Sequence, residues 1–164
     1  MIFTDKKLAL LDIISRDENL TDAQMAVMTG ITEAEVAAYK AQLEADGIIV
    51  GTHTMINWDK TGQERVVALI ELKVTPQYGE GFDRIAERLW QYDQVKSVYL
   101  MSGAYDILVE VEGSAMKEVA LFAAERIAPM DFVVSQNTSF VLRKYKENGI
   151  VYDKAAEDDR QVVL

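Results

Sequence analysis

The sequence predicts an α+β chain in two parts, an N-terminal winged helix-turn-helix followed by a C-terminal ferredoxin-like βαββαβ domain. Three observations predict it. Two S/T-x-x-E/Q capping boxes, beginning at Thr21 and at Thr32, open consecutive short helices with Gly30 between them. Beyond residue 65 the apolar rhythm changes from a period near 3.6 to a period of 2. From there, strand and helix patterns follow the order β-α-β-β-α-β.

The first helix is expected over residues 5–16, N-capped by Thr4, with Asp5 in its first turn. Its stripe is Leu8, Leu11 and Ile14, widened by Leu10 and Ile13. Thr21 and Gln24 satisfy each other's backbone at the start of the second helix, and Gly30 ends it. Thr32 and Glu35 do the same for the third, whose buried stripe is Val36, Tyr39 and Leu43 and whose end is Gly47. This spacing suits a DNA-reading helix-turn-helix, and a plain three-helix bundle equally. Residues 48–58 have extended character, as a wing or linking strand would, and Asp59 to Gly62 makes a turn.

Residues 66–74 read as a strand with Ile70, Leu72 and Val74 on one face. Residues 81–92 form an amphipathic helix carrying Phe82, Ile85, Leu89 and Trp90. Residues 95–101 and 105–111 are strands joined by a tight turn at Ser102 to Ala104. Residues 114–127 form a helix capped by Ser114, with Met116, Val119, Phe122 and Ala123 inward, and Pro129 stops it. Residues 132–145 make a long final strand. Val67 and Leu69 lie on the sheet face away from the helices, so that face calls for a partner, most simply a second copy of the chain. The domains are therefore 1–50 (helix-turn-helix), 51–64 (linker), 65–146 (ferredoxin-like) and 147–164, a polar tail ending in Val162, Val163 and Leu164.

Composition excludes several function classes. The chain has 164 residues, no cysteine and one histidine, His53, which leaves no thiolate or multi-histidine metal site and calls for no cofactor. No run of about 18 apolar residues suggests a membrane span, and residues 1–7 show no charged-then-apolar leader. A soluble, cytoplasmic protein is expected. Net charge is −10, and residues 1–64 carry five basic against eleven acidic side chains. A DNA-binding surface ordinarily shows the opposite bias.

Several short motifs resemble the Lrp/AsnC (feast/famine) transcriptional regulators when read in order. Asp5 to Leu11 is similar to the family's opening "D..I...L", Leu43 with Gly47 to Ile49 to its "L...G.I", and Asn57 to Gly62 to the "N...LG" closing the linker. Met101 to Val111 resembles the "TG.yD....V" hairpin of the ligand-sensing (RAM-type) domain, and Thr138 to Leu142 the final-strand "T..VL". The resemblance implies a homodimer with paired sheets, often assembled into an octamer, and an effector, typically an amino acid, bound at the hairpin between dimers. It places DNA contacts on Thr21, Gln24, Thr32, Glu33, Tyr39, Lys40 and Gln42, and effector contacts on Ser102, Gly103, Tyr105, Asp106, Gln136 and Thr138.

Chemistry supports these roles and leaves alternatives. Gly103 lets a backbone approach closely, Tyr105 offers an apolar wall with a hydroxyl, and Asp106 suits an α-ammonium group. Equally, Gly103 only makes the turn and Asp106 only caps local amides. The third helix, which in relatives usually carries several arginines, here has Ala37, Ala38 and Gln42 at its exposed positions, Tyr39 where an arginine is common and Lys40 where an apolar residue is common. Residues 32–46 hold four acids against Lys40 alone. An acidic member impaired in DNA binding, serving as a ligand-sensing or protein-interaction module, is the second reading. The third is an enzyme resembling the sirohaem decarboxylases that share this architecture, for which His53 is the one available histidine.

Overall fold

The computed structural model describes residues 4–17, 19–76 and 81–152. The chain separates into two compact units, Met1–Met55 and Ile56–Leu164. In the first, α1 (Asp5–Arg16), α2 (Asp22–Thr29) and α3 (Glu33–Ala45) surround a small core of Leu10, Met25 and Val36, with Ile13, Ile14, Leu20 and Tyr39 packed on it. Leu10, rather than Leu8, is the centre of the α1 stripe, and Leu8 is exposed. The wider reading of that stripe, with Leu10 and Ile13, is the one the packing selects.

Residues 48–57 form no strand among the described residues. After α3 the chain turns back, the amides of Ile48 and Ile49 donating to the Leu43 carbonyl. Val50 is left 91% exposed. The β-branched run Ile48 to Val50 has extended character but no neighbouring strand, and without a ladder it stays a linker.

The second unit holds a four-stranded antiparallel sheet in the order β2 (Val95–Leu100), β3 (Ile107–Gly113), β1 (Val66–Val74), β4 (Val133–Val141). β1 is central, pairing from Val66 opposite Gly113 to Leu72 opposite Ile107 on one side and with β4 on the other. Helices α4 (Phe82–Trp90) and α5 (Met116–Phe122) cover one face. Between them and the sheet lie Ala68, Ile70, Leu72, Ile107, Val109, Val111, Ile85, Leu89, Val119 and Phe122. The period of 2 in β1 and the helical period in α4 point at this one layer, which is why the sheet forms here.

Four expectations are corrected. Trp90 is 58% exposed and Met116 half-exposed, so α4 and α5 bury narrower stripes than their composition offers. Ser114 is not the cap of α5. Ala115 occupies that position, and Ser114 instead donates its backbone N–H and hydroxyl to Glu118, whose carboxyl these bonds hold below its ordinary range. The last turn of that helix widens into a π-helical turn, Ala123–Ile127, which keeps Ala123 and Ile127 buried. The final strand stops at Val141. The chain then folds into a two-stranded hairpin, β5 (Lys146–Glu147) with β6 (Ile150–Val151), so residues 147–152 are not tail. Residues 153–164, including Val162 to Leu164, lie outside the described residues.

Val67, expected on an open sheet face, is only 7% exposed, because Trp58, Asn57 and the 142–152 segment gather over that corner. The rest of the face is mixed. Leu69 and Leu108 are half-buried among Glu71, Glu110 and Glu112, and Asn137 and Ser97 donate to Glu71 and Glu110.

Candidate functional site

The helix-turn-helix is built by its caps. Thr21 Oγ1 accepts from the Gln24 amide at 3.2 Å while Gln24 Oε1 accepts from the Thr21 amide at 2.8 Å. Thr32 and Glu35 repeat the arrangement at 3.2 and 2.8 Å, and these bonds hold the Glu35 carboxyl below the usual carboxylate range. Gly30, at φ 66, makes the left-handed turn between them. These bonds satisfy amides that would otherwise be orphaned at each helix start. They also commit Thr21, Gln24 and Thr32 to local structure.

The other DNA candidates divide further. Tyr39 is half-buried on the helical core, with the Lys7 ammonium 4.7 Å from its ring centroid. Lys7 also donates to Gln42 Oε1 at 3.0 Å. Lys40 pairs with Asp22 at 2.9 Å. Lys6 donates to the Gly30 carbonyl at 3.1 Å, and Arg16 pairs with Asp12 at 2.9 Å. Every cation of the three helices therefore has an internal partner. Glu33 is exposed beside Ala34, Ala37, Ala38 and Ala41, a smooth surface with little side-chain reach. Alanine methyls can meet thymine methyls in a major groove, and the α2 and α3 N-termini present partial positive charge. The lysine at position 7 was absent from the sequence candidates. Its signal was weak, since it lies a helix away from Tyr39 and Gln42.

At the far end of the sheet the turn between β2 and β3 brings Ser102, Gly103, Tyr105 and Asp106 together. Ser102 and Gly103 are exposed, Tyr105 and Asp106 half-buried. β1 runs on to Val74, past the first residue of β3, so the Val74 amide lacks a strand partner. Asp106 replaces it: Oδ2 accepts that N–H at 2.9 Å and Oδ1 accepts from Lys73 Nζ at 3.1 Å. Its own amide donates to the Leu72 carbonyl at 2.9 Å. The Val74 N–H, then Lys73, hold the Asp106 carboxyl below its ordinary value. Local capping is thus the role visible within the chain, and Lys73 is the partner that the motif did not announce.

Gly103 requires correction. Its φ is not positive, and a Cβ built there meets nothing within 4 Å. Neither the turn nor any close approach within the chain demands glycine. Gln136 and Thr138 stand apart from this loop. They pair opposite Leu72 and Ile70, two strands from β3 or about 10 Å, and share the face of those core residues. Gln136 Oε1 is buried with no partner among the described residues. The structure thus groups four of the six effector candidates.

Comparison with known proteins decides the family. The profile of the Lrp/AsnC ligand-binding domain matches residues 67–151. An HTH-type transcriptional regulator of Bacillus subtilis, YugG, is 40% identical over 100% of this chain and 99% of its own length. The chain belongs to the Lrp/AsnC family. The HTH-type regulator LrpA of Pyrococcus abyssi is 28% identical over 84% of this chain and 94% of its own. Among solved structures, Escherichia coli AsnC superposes with a TM-score of 0.68 at 17% identity, covering 90% of this chain and 97% of that one. A Neisseria meningitidis transcriptional regulator in complex with L-Met gives 0.69 at 17%, covering 89% and 94%. These likenesses show the fold. Membership in a family of transcriptional regulators sets aside the decarboxylase reading, and this Lrp/AsnC chain is not an enzyme. No helix among the described residues is long and apolar enough to cross a membrane.

Proposed function

We propose that the chain is a cytoplasmic, effector-responsive transcriptional regulator that binds DNA through α3 and the start of α2, and senses an amino acid or similar small molecule at the β2–β3 hairpin. The observation that carries this reading is the full-length similarity to an HTH-type transcriptional regulator, together with the ligand-binding-domain match on residues 67–151. The L-Met complex of the Neisseria regulator supports an amino acid as effector. The bare Cα of Gly103, idle within the chain, supports close approach by something outside it.

DNA affinity in this reading comes from a homodimer or larger ring that presents several weak helices at once, since one α3 offers little charge. The half-buried leucines of the open sheet face support dimerisation there. The internal pairing of every helix cation favours one second reading, an acidic member that senses a ligand but binds DNA poorly. A thermal-shift panel of the standard amino acids on wild type and Gly103→Val tests the sensing half. An effector that stabilises the wild type, with stabilisation rising logarithmically in concentration, and fails to stabilise Gly103→Val at unchanged basal melting, is expected. Equal stabilisation of both proteins removes the hairpin from the site.

A further inference from the structure

The two edges of the sheet are not alike. β2 is six residues long, carries Lys96 and breaks register with β3 between Val95 and Ser97. Shortness, charge and irregularity are how an edge is kept from pairing with a further strand. β4 lacks these defences over most of its length. It runs nine residues, Val133–Val141. From Phe132 to Leu142 there is no charged residue, no proline and no glycine. Its register with β1 is unbroken from Ser135 to Val141, the one shift lying before Ser135. Among the described residues no strand pairs with its outer side. A long, neutral, regular edge presents a row of N–H and C=O groups ready to take a strand.

The order of residues says which strand fits. Read outward from Asn137, β4 repeats itself by type in both directions: Gln136 and Thr138, Ser135 and Ser139, Val134 and Phe140, Val133 and Val141. Two identical strands set antiparallel about a two-fold axis at Asn137 therefore place polar opposite polar and apolar opposite apolar at every step. The faces agree as well. Gln136, Thr138 and Phe140 lie opposite Leu72, Ile70 and Ala68 of β1, on the helix side. Ser135, Asn137 and Ser139 lie opposite Lys73, Glu71 and Leu69, on the open side. Val134, which the register shift leaves without an opposite residue in β1, is 65% exposed, and in this pairing it meets Phe140 of the other copy. Neutrality matters on a chain of net charge −10. The open face sets Glu71, Glu110 and Glu112 against their copies, whereas this edge brings no charged side chain of β4 opposite another.

We infer that the β4 edge is an interface between two copies of this chain, in which the β4 strands pair antiparallel about Asn137 and the two sheets continue as one. It is distinct from pairing through the open face and coexists with it, since one uses the edge and the other the face. Gln136 and Thr138, which stand apart from the hairpin, gain a place here. Each lies opposite the other across the junction.

The chain has no cysteine, so cross-linking reads the register directly. Opposite residues of an antiparallel pair lie about 4.5–5.5 Å apart at Cα, within reach of a disulfide. Mild oxidation of an equimolar mixture of full-length Gln136→Cys and Thr138→Cys is therefore expected to give a linked pair. Either variant alone sets its cysteines on a diagonal of about 7–8 Å and should link several-fold less. Both side chains face the helices, so pairing of open faces cannot join them. Asn137→Lys supplies the second measurement. It puts two ammonium groups opposite each other on the axis, and self-association through the edge should weaken several-fold in sedimentation. The same lysine adds a cation to an acidic face, so association through the open face alone is expected to hold or tighten. The inference is overturned if the mixture links no more than the single variants, or if Asn137→Lys associates as tightly as the wild type or more so. Those are also the results expected if a strand of another protein, or nothing, occupies the edge. Neither measurement involves DNA or an effector, so the inference stands or falls apart from the proposed function.

Discussion

Single residues carry the local architecture, and their substitutions have signs that the geometry sets. Thr32→Ala removes the oxygen that accepts from Glu35 N and breaks the capping box of α3. A loss of about 1 kcal/mol is expected, read by urea denaturation of the full chain. Leu10 is fully buried in a core of few residues, so Leu10→Ala should cost about 2–5 kcal/mol and unfold the helical unit first, visible as loss of helical ellipticity before loss of sheet. Asp106 makes a pH statement. Its folded carboxyl titrates below its unfolded value, so the stability it supplies is present above about pH 4 and is lost as pH falls through the folded value. Asp106→Asn should flatten the acid limb of the stability profile, measured by denaturant midpoints between pH 2 and 6. An identical acid limb in the variant would detach Asp106 from the Val74 amide.

The helical and sheet elements differ in how far the sequence announced them. Thr21, Thr32 and Gly30 are local signals whose consequence is complete within four residues, so α2, α3 and their turn were legible. The order of strands and helices along the chain was legible too, since Ile70 and Leu72 flank Glu71, and Val109 and Val111 flank Glu110. What failed depends on distant neighbours. Ile48 to Val50 has strand chemistry but no strand beside it. Trp90 and Met116 are apolar at helical spacing, yet they lie outside the faces that α4 and α5 bury and stay exposed. The 146–151 hairpin is too short for periodicity to show. The same limit governs the site: the Lys40–Asp22 and Lys7–Gln42 pairs, which engage Lys40 and Gln42 of α3, cross between helices and leave no mark in either one's pattern. Asp22→Asn should free Lys40. DNA affinity is then expected to rise, and the salt dependence to steepen by about one released counterion, in anisotropy titrations over a salt series.

At the scale of the whole molecule, charge sets two opposite dependences. The open sheet face holds Glu71, Glu110 and Glu112 around Leu69 and Leu108, so pairing two such faces brings like charges together. Salt screens that repulsion within about 10 Å at 0.1 M. Dimerisation should therefore tighten as salt rises, followed by sedimentation at several salt concentrations, whereas phosphate contacts weaken over the same range. Under the proposed function, regulation is expected in the window where both hold. Retardation of a duplex covering the region upstream of its own gene, at about 50 mM salt where phosphate contacts are strong, is the most direct measurement. A discrete shifted complex that an amino acid strengthens or releases is the expected result. No shift at that salt, with the dimer intact and an amino acid still stabilising the fold, would contradict a DNA-binding regulator and leave the acidic sensing module in its place.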